Sequence, residues 1–523
     1  MGEAEGGADA SGAAEHAAGS SVHAARRRTR LRAAIGAVFA LTAAAGGFGA
    51  REMIVEAVNR DVVERAHRHG ARFLAKPYLQ IGDRPRPSDP ESLEVTWITL
   101  DDGARWSVES RGAAAANWVA ARDVATKRVN VEGPGVHLVW RARVEGLTPG
   151  AAFAYQLRRN GDVVFNANAR ARRLRDDPHR FVVWGDGGAD TDAQRSVALE
   201  VFKAGPEYTV IVGDIVYYKG RATEYLNKFF PVENADSAAA AVGAPLLRST
   251  ILIPVPGNHD LLESELDRSP DALAYFYYWS VPRNGLVGTA AAPIMPVLKG
   301  TPERVRAFRA AAGDAYPVAA NYAFDYGGAH WTVLDANRYT DWTDPARRDW
   351  LERDLDSPAA RNADWRFVAF HQPAFQSSRA HADEQHMRVI SDLLEKYHVD
   401  VVFTGHVHNY QRTKPLRFRA VPGENGRLVA DSGRVAGEFT IDERYDGKAN
   451  TRPDGVIHLV TGAGGARLYD TSSRLGDRTM QPYLAAYRSD VHSFTVVDLE
   501  PRRFVARQVA STGEVIDEFT ITR

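Results

Sequence analysis

The sequence predicts an α/β (α+β) domain preceded by an all-β domain, and three observations carry this. Between Lys76 and Arg172, short alternating runs such as Leu93–Ile98, Val136–Trp140 and Phe153–Leu157 are separated by Gly, Pro and Asp turns, the pattern of an antiparallel sandwich. After Arg180, β-rich runs alternate with longer helical patterns, as in an α/β region. Five of those later runs end in Asp, Asn or His: Phe181–Trp184 leads to Asp186, Tyr208–Val212 to Asp214, Ile251–Val255 to Asn258-His259, Arg366–Phe370 to His371, and Val399–Phe403 to His406 and His408. The edge beyond the C-terminal strand ends is where α/β sheets gather ligands and catalytic groups. A length of 523 residues exceeds what one core supports and agrees with two domains plus ancillary segments.

In chain order, residues 1–50 are read as a disordered basic N-terminus followed by a signal peptide or membrane anchor. Met1–Ser21 is rich in Gly, Ala and Ser, with too few apolar side chains to order itself. Arg26, Arg27, Arg28, Arg30 and Arg32 then precede the 18 uncharged residues Ala33–Ala50, which as a helix of 1.5 Å per residue would be about 27 Å long, close to a ~30 Å hydrocarbon core. By the positive-inside rule the arginines stay cytoplasmic, so the remainder is expected to be exported, periplasmic or extracellular. Residues 51–75, with Ile54, Val55, Val58, Val62 and Val63 at helical spacing, read as an amphipathic connector. Residues 76–172 form the all-β domain; its Leu147-Thr148-Pro149-Gly150 turn and Trp97 resemble a fibronectin type III module. Residues 178–523 form the second, α/β domain.

Composition narrows the function. With 65 Lys plus Arg against 66 Asp plus Glu, a net charge of −1 provides no global field for a polyanion, so nucleic acid is not an expected partner. The absence of cysteine excludes disulfides, thiolate nucleophiles and Cys-ligated metals, leaving His, Asp, Glu, Asn and Tyr as ligands. No Gly-x-Ser-x-Gly occurs, which excludes a serine nucleophile elbow. Gly462-Ala463-Gly464-Gly465 reads as a structural turn, because Arg467 stands where the third Gly of a dinucleotide loop belongs.

Taken singly, a Gly-Asp after a strand is usually a turn or helix cap. His406 and His408 are more specific, since both imidazoles of an i, i+2 pair can reach one centre or two adjacent ones. All of these residues in this order, each past a strand end, point to a metal site. With these motifs the chain resembles the calcineurin-like metallophosphoesterases and, within them, the purple acid phosphatases. General members of the superfamily open with Asp-x-His, whereas Asp186-Gly187-Gly188 has Gly at the second ligand position. Purple acid phosphatases make the same replacement and supply a tyrosine from Gly-Asp-x-x-Tyr, which here is Gly213-Asp214-Ile215-Val216-Tyr217. Their remaining motifs stand as Asn258-His259, Val368-Ala369-Phe370-His371 and Gly405-His406-Val407-His408.

The resemblance implies a four-layer β-sandwich flanked by helices, holding a dinuclear centre. Asp186, Tyr217 and His408 would hold Fe(III), Asn258, His371 and His406 a divalent Fe, Zn or Mn, and Asp214 would bridge them. Two cations ~3.5–4 Å apart polarise phosphate oxygens and bring a bound water to near-neutral pKa. The implied activity is therefore an acid phosphatase, hydrolysing phosphate monoesters by attack of a metal-bound hydroxide. The leaving alkoxide needs a proton. His259, next to Asn258, is one candidate donor; His381, ten residues after His371, is the other, at the interval that separates ligand and substrate-binding histidine in plant-type members. Asn409-Tyr410-Gln411-Arg412 departs from the frequent Ala-Tyr-Glu-Arg.

The 111 residues between His259 and His371 are expected to include inserted loops, with the cluster Tyr275-Phe276-Tyr277-Tyr278-Trp279 in the core. Arg417–Gly455 reads as a surface excursion, and the runs from Val456, His492, Phe504 and Phe519 as strands completing the second catalytic sheet. Two other functions remain open: a phosphodiesterase or nucleotide-pyrophosphate hydrolase using the same metals, and a membrane-tethered binding protein with a silent catalytic domain. Purified protein is expected to show a tyrosinate-to-iron(III) charge-transfer band in the visible and two metals per chain; a colourless protein, or one metal or fewer, overturns the ligand assignment.

Overall fold

The structure is a computed structural model that describes residue 66 and residues 70–113, 115–175, 177–288 and 294–523. The expected export or anchor segment (1–50) and most of the connector (51–65 and 67–69) lie outside the described residues. No helix of the described residues is long and apolar enough to cross a membrane.

The first eight strands build an antiparallel β-sandwich: β1 (Ala75–Gln80), β2 (Glu91–Leu100), β3 (Trp106–Gly112), β4 (Val119–Ala120), β5 (Val124–Val129), β6 (His137–Leu147), β7 (Ala152–Arg159) and β8 (Asp162–Arg170). One face is β1-β2-β6-β5 and the other β4-β3-β7-β8. Buried and part-exposed positions alternate along β3, as a sheet with one wet face requires.

The α/β region follows. β9 (His179–Trp184), β10 (Tyr208–Val212) and, after the hairpin β11 (Asn234–Ala239) and β12 (Gly243–Pro245), β13 (Ile251–Val255) are mutually parallel. The second sheet contains β14 (Tyr322–Tyr326), β15 (Ala329–Val333), β16 (Trp365–Ala369), β17 (Val401–Thr404) and β18 (Tyr410–Thr413). After a hairpin of β19 (Leu416–Ala420) and β20 (Gly437–Ile441), it is completed by β21 (Ile457–Thr461) and β22 (Leu484–Arg488). β15, β16, β17 and β21 run parallel. Every residue of β10, β13, β15, β17 and β21 is buried, which explains why they are mainly apolar with no period-two alternation: strands covered on both faces have no solvent side to keep polar. Between the sheets, Phe181 of β9 meets Trp331, Phe367 and Phe403 at ring-centroid distances of 5.3, 5.8 and 6.1 Å. The helix Asp192–Ala204 buries Val197 and Val201; it is capped by Thr191, whose hydroxyl accepts the Gln194 N–H, and closes at Gly205 in left-handed geometry.

Two features of the sheets differ from the sequence reading. The last three strands, β23 (Ser493–Glu500), β24 (Arg503–Ala510) and β25 (Val515–Thr522), were expected in the second catalytic sheet; they extend the first, β23 pairing antiparallel with β9 and setting Val497 opposite Phe181. Only β21, with β22, joins the second sheet. Apolar patterning defines a strand but not the edge it covers. On the far side of β13, β1 pairs parallel with it, Leu79 opposite Ile251, so the N-terminal sandwich and the catalytic region share one ten-stranded sheet. The Tyr275–Trp279 cluster sits at this junction, no more than 1 % exposed. Tyr78 Oη donates to the Tyr278 carbonyl at 2.7 Å, and Arg141 Nη2 to the Tyr277 and Trp279 carbonyls at 3.4 and 3.3 Å. Those aromatics are core, as expected. The Arg417–Gly455 excursion contains the β19–β20 hairpin within otherwise irregular chain.

His330 of β15 is 3 % exposed, 2.7 Å from Asp325 of β14 through Nδ1 and 3.3 Å from Asp354 through Nε2. Burial alone would lower its pKa, but the hydrogen bonds to both carboxylates more than reverse this and raise it to about 9. A folded-state pKa above the unfolded value gives stability that is complete below pH ~6.5 and is lost as pH rises through 9. His330→Gln is expected to remove from the unfolding free energy a component on the order of 3 kcal/mol that the native protein has at pH 6 and loses by pH 9.5, read as the difference between denaturant titrations at the two pH values.

Candidate metal centre

The parallel strands of both sheets end on the same cleft. β9, β10 and β13 deliver Asp186, Asp214 and Asn258 from one sheet; β16 and β17 deliver His371, His406 and His408 from the other. Asp186, Asp214 and His406 have φ of 60°, 48° and 66°, left-handed geometry that non-glycine residues adopt at a cost and that concentrates at functional turns. Close packing of these turns needs glycine. A Cβ on Gly213 would collide with the His371 ring and one on Gly257 with Asp214, while Cβ atoms on Gly405 and Gly462 would come within 2.6 and 2.8 Å of the Asp186 carboxylate. The Gly462–Gly465 run is thus the structural turn expected of it: a Cβ on Gly462 would meet the Val407 carbonyl and the Asp186 carboxylate, and one on Gly464 or Gly465 the backbone at Gly185 or Gly187.

All seven expected ligands meet here, in two adjoining groups. Tyr217 Oη donates to Asp186 Oδ1 at 3.0 Å and lies 3.0 Å from His408 Nε2, which is 3.3 Å from Asp186 Oδ1. Bonds of about 2.1 Å at right angles place neighbouring donors about 3 Å apart, so this triangle has the dimensions of one face of a six-coordinate ion. In the second group, His371 Nε2 is 3.0 Å from Asn258 Oδ1 and 3.2 Å from Asp214 Oδ1, and Asp214, His371 and His406 bring ligand atoms within 4.8 Å of one another.

Each histidine is anchored through one ring nitrogen. His371 Nδ1 faces the Val212 carbonyl at 2.8 Å, His408 Nδ1 the Arg467 carbonyl at 2.7 Å, and His406 Nε2 the Glu384 carboxylate at 3.1 Å. With the ring neutral, donation there would fix the tautomer and leave a lone pair on the other nitrogen, the arrangement of metal-ligating imidazoles. The donor set of two carboxylates, a phenol, a carboxamide and three imidazoles therefore fits a pair of cations, the oxygen-rich group suiting the harder ion.

The electrostatics are those of a buried anionic pocket. Burial alone would lower His371, but the Asp214 and Asp186 carboxylates outweigh it and raise it to about 10. Burial, followed by the charges of Asp186 and Asp214, pushes the Tyr217 phenol well above its ordinary value, an effect that a cation at this place would oppose. Burial lowers His406 to about 4, with His371 and His381 adding to it and Glu384 opposing. Asp260, raised to about 7 by burial and then by Asp214, accepts from the Gly257 and Ile215 N–H groups at 2.9 and 3.2 Å, tying two ligand loops together. Asn337 does the same elsewhere: its Nδ2 donates to the Gly257 carbonyl at 3.2 Å, and its Oδ1 accepts from Gln372 at 3.0 Å.

The candidate acids flank the centre. His259 has its ring 4.6 Å from Tyr217, holds Nδ1 2.7 Å from the Tyr218 carbonyl and places Nε2 3.9 Å from Asp214 Oδ2. His381 lies beside His406, its ring 4.0 Å from that imidazole and its Nδ1 2.8 Å from Glu384 Oε1. Glu384 was not anticipated. It spans His381 and His406, and its position three residues after His381 was the available signal. Asp260, Asn337 and Tyr469, whose ring stacks on His408 at 4.1 Å, were also missed; each acts through a neighbour that only the fold supplies.

Residues 177–410, somewhat less than half of the chain, match the family model described as calcineurin-like phosphoesterase. Within that class the chain is similar to purple acid phosphatases. Purple acid phosphatase 18 of Arabidopsis thaliana is 38 % identical over 99 residues, 18 % of this chain and 22 % of the relative. Purple acid phosphatase 15 of the same plant is 24 % identical over 483 residues, 83 % of this chain and 84 % of the relative. In three of the plant alignments the chain spans only about a fifth to a quarter of the relative's length. A purple acid phosphatase from yellow lupin (Lupinus luteus) seeds shares the fold with a TM-score of 0.61 at 18 % identity, over 86 % of this chain and 74 % of that one.

The geometry also explains the departure from Asp-x-His. A Cβ on Gly188 would run into the Ile215 carbonyl, so the loop carrying Tyr217 occupies the space where the superfamily's second ligand would stand. Gly188→Ala is expected to displace that loop, lowering stability by about 1–3 kcal/mol in denaturant titration and shifting or abolishing any tyrosinate–iron absorption; retention of both properties would separate Gly188 from the placement of Tyr217.

Proposed function

We propose that the chain hydrolyses phosphate monoesters at a dinuclear metal centre of the purple acid phosphatase type. The observation that carries this reading is the convergence of seven donors into two adjoining groups with anchored imidazoles. Asp186, Tyr217 and His408 would hold Fe(III), Asn258, His371 and His406 a divalent ion, and Asp214 would be shared. When bound, the two cations would polarise the phosphate oxygens and lower the pKa of a water to near neutrality.

The chain's own residues do the rest. His259 and His381, each with a side chain about a third exposed (32 and 31 %), border the centre, one beside Tyr217 and the other beside His406, where the leaving oxygen can take a proton. Glu384 orients His381 and keeps His406 Nε2 engaged. The glycine-lined turns and buried strand ends hold these groups on rigid elements. The arginines from 26 to 32 and the uncharged stretch 33–50 support an exported domain, with the substrate met outside the cytoplasm.

The test compares a chromogenic phosphate monoester with the corresponding diester, on native protein and on Asp214→Ala. Monoester turnover should dominate in the native protein, and Asp214→Ala should abolish it and reduce the bound metal while circular dichroism keeps the native signal. Near-normal turnover by Asp214→Ala removes the shared-ligand role, and diester preference replaces the monoesterase reading with that of a phosphodiesterase.

A further inference from the structure

Tyr218 is the most exposed Phe, Tyr or Trp among the described residues, at 64 %, although the adjacent Tyr217 is 3 % exposed. It is nevertheless held in place. Its N–H donates to the Glu224 carboxylate, and its carbonyl accepts the Nδ1–H of His259 at 2.7 Å. Lys228, which binds the Tyr217 carbonyl and reaches Glu224 at 3.3 Å, places its ammonium 5.5 Å from the Tyr218 ring centroid. The ring stands edge-on to Tyr217 at 5.6 Å and to His259 at 5.8 Å. Tyr469, on the other flank, is already stacked on His408 with an interplanar angle of 9°. Tyr218 is thus a fixed aromatic surface left open beside the centre.

We propose that Tyr218 is the stacking platform for the leaving group and that the favoured substrates are aryl phosphates, whose ring is bonded directly to the leaving oxygen. The inference rests on the phosphoesterase reading above and names the substrate class for that site. A leaving oxygen that takes its proton from His259 departs beside Tyr218, because the two rings are in contact. A planar group on that oxygen therefore meets the tyrosine at once, whereas a nucleobase is held a ribose away and a small alkyl group has no flat face to offer. Offset or edge-to-face contact with an aromatic partner adds to the apolar area buried, and the clamped backbone lowers the ordering cost on binding.

The test uses the metal-loaded protein and two non-hydrolysable probes, phenylphosphonate and methylphosphonate, with binding measured by calorimetry. Native protein should prefer the phenyl compound. Tyr218→Ala should reduce that preference about tenfold, and Tyr218→Phe should keep it. An unchanged preference in Tyr218→Ala, equal weakening of both probes, or no binding of either by native protein overturns the proposal. Hydrolysis of p-nitrophenyl phosphate is scored separately. Phosphonates bound in the expected pattern without ester cleavage would remove the phosphatase reading and leave the stacking role standing; cleavage with a phenyl preference indifferent to Tyr218 would do the reverse.

Discussion

Asp186 and Asp214 lie almost completely buried, 0 and 1 % exposed, between the strand ends of two sheets, and taking ionised carboxylates out of water costs several kcal/mol each unless hydrogen bonds and opposite charge offset it. The surrounding structure is organised around that cost. The His406 N–H donates to Asp186 Oδ2 at 2.8 Å and the His259 N–H to Asp214 Oδ1 at 2.9 Å, each from the turn that also supplies a ligand. Such bonds require turns packed closer than side chains permit, hence glycine at 213, 257, 405 and 462. A pocket that gathers negative charge and has donors spaced to coordinate suits cations, and cations so placed would supply the field that phosphate chemistry needs.

Precision at the centre comes from the sheets. Parallel strands buried on both faces fix the height at which each ligand turn begins, and the aromatic contacts of Phe181 with Trp331, Phe367 and Phe403 lock one sheet against the other. Supporting residues then act through neighbours: Asp260 and Asn337 hold the Gly257 turn, and Glu384 holds two imidazoles. The N-terminal sandwich belongs to the same mechanical unit, because β1 continues the catalytic sheet through β13. The 111-residue interval buries Tyr275–Trp279 at that junction, while Tyr218, earlier in the chain, stays exposed beside Tyr217 and His259.

The fold was legible where local pattern carries it. Continuous apolar runs ending in polar residues gave β9, β10, β13, β16 and β17, and alternation gave the N-terminal sandwich. Pattern did not say that β23–β25 cover the edge beside β9, nor that β1 joins β13, since partners are chosen among distant segments that all read alike. The candidate ligands were legible for a different reason: Asp186, Asp214, Asn258, His371, His406 and His408 each stand within a few residues of a strand end, and Tyr217 was legible only through the Gly-Asp-x-x-Tyr motif of the family resemblance. Glu384 was not, because a carboxylate three residues from a histidine is common and acquires a role only when His406 arrives from another strand.

The sequence by itself therefore determined which residue types are available to bind metal, the exclusion of cysteine chemistry, and the presence of Gly at 188 together with Tyr at 217. The tertiary structure alone decided that these donors form two adjoining groups, which nitrogen of each imidazole is free, and why Gly188 has no side chain. Motifs record chemistry that is local to a turn. Distances between turns depend on how two sheets pack and on which backbones may touch, and those are properties of the assembled chain.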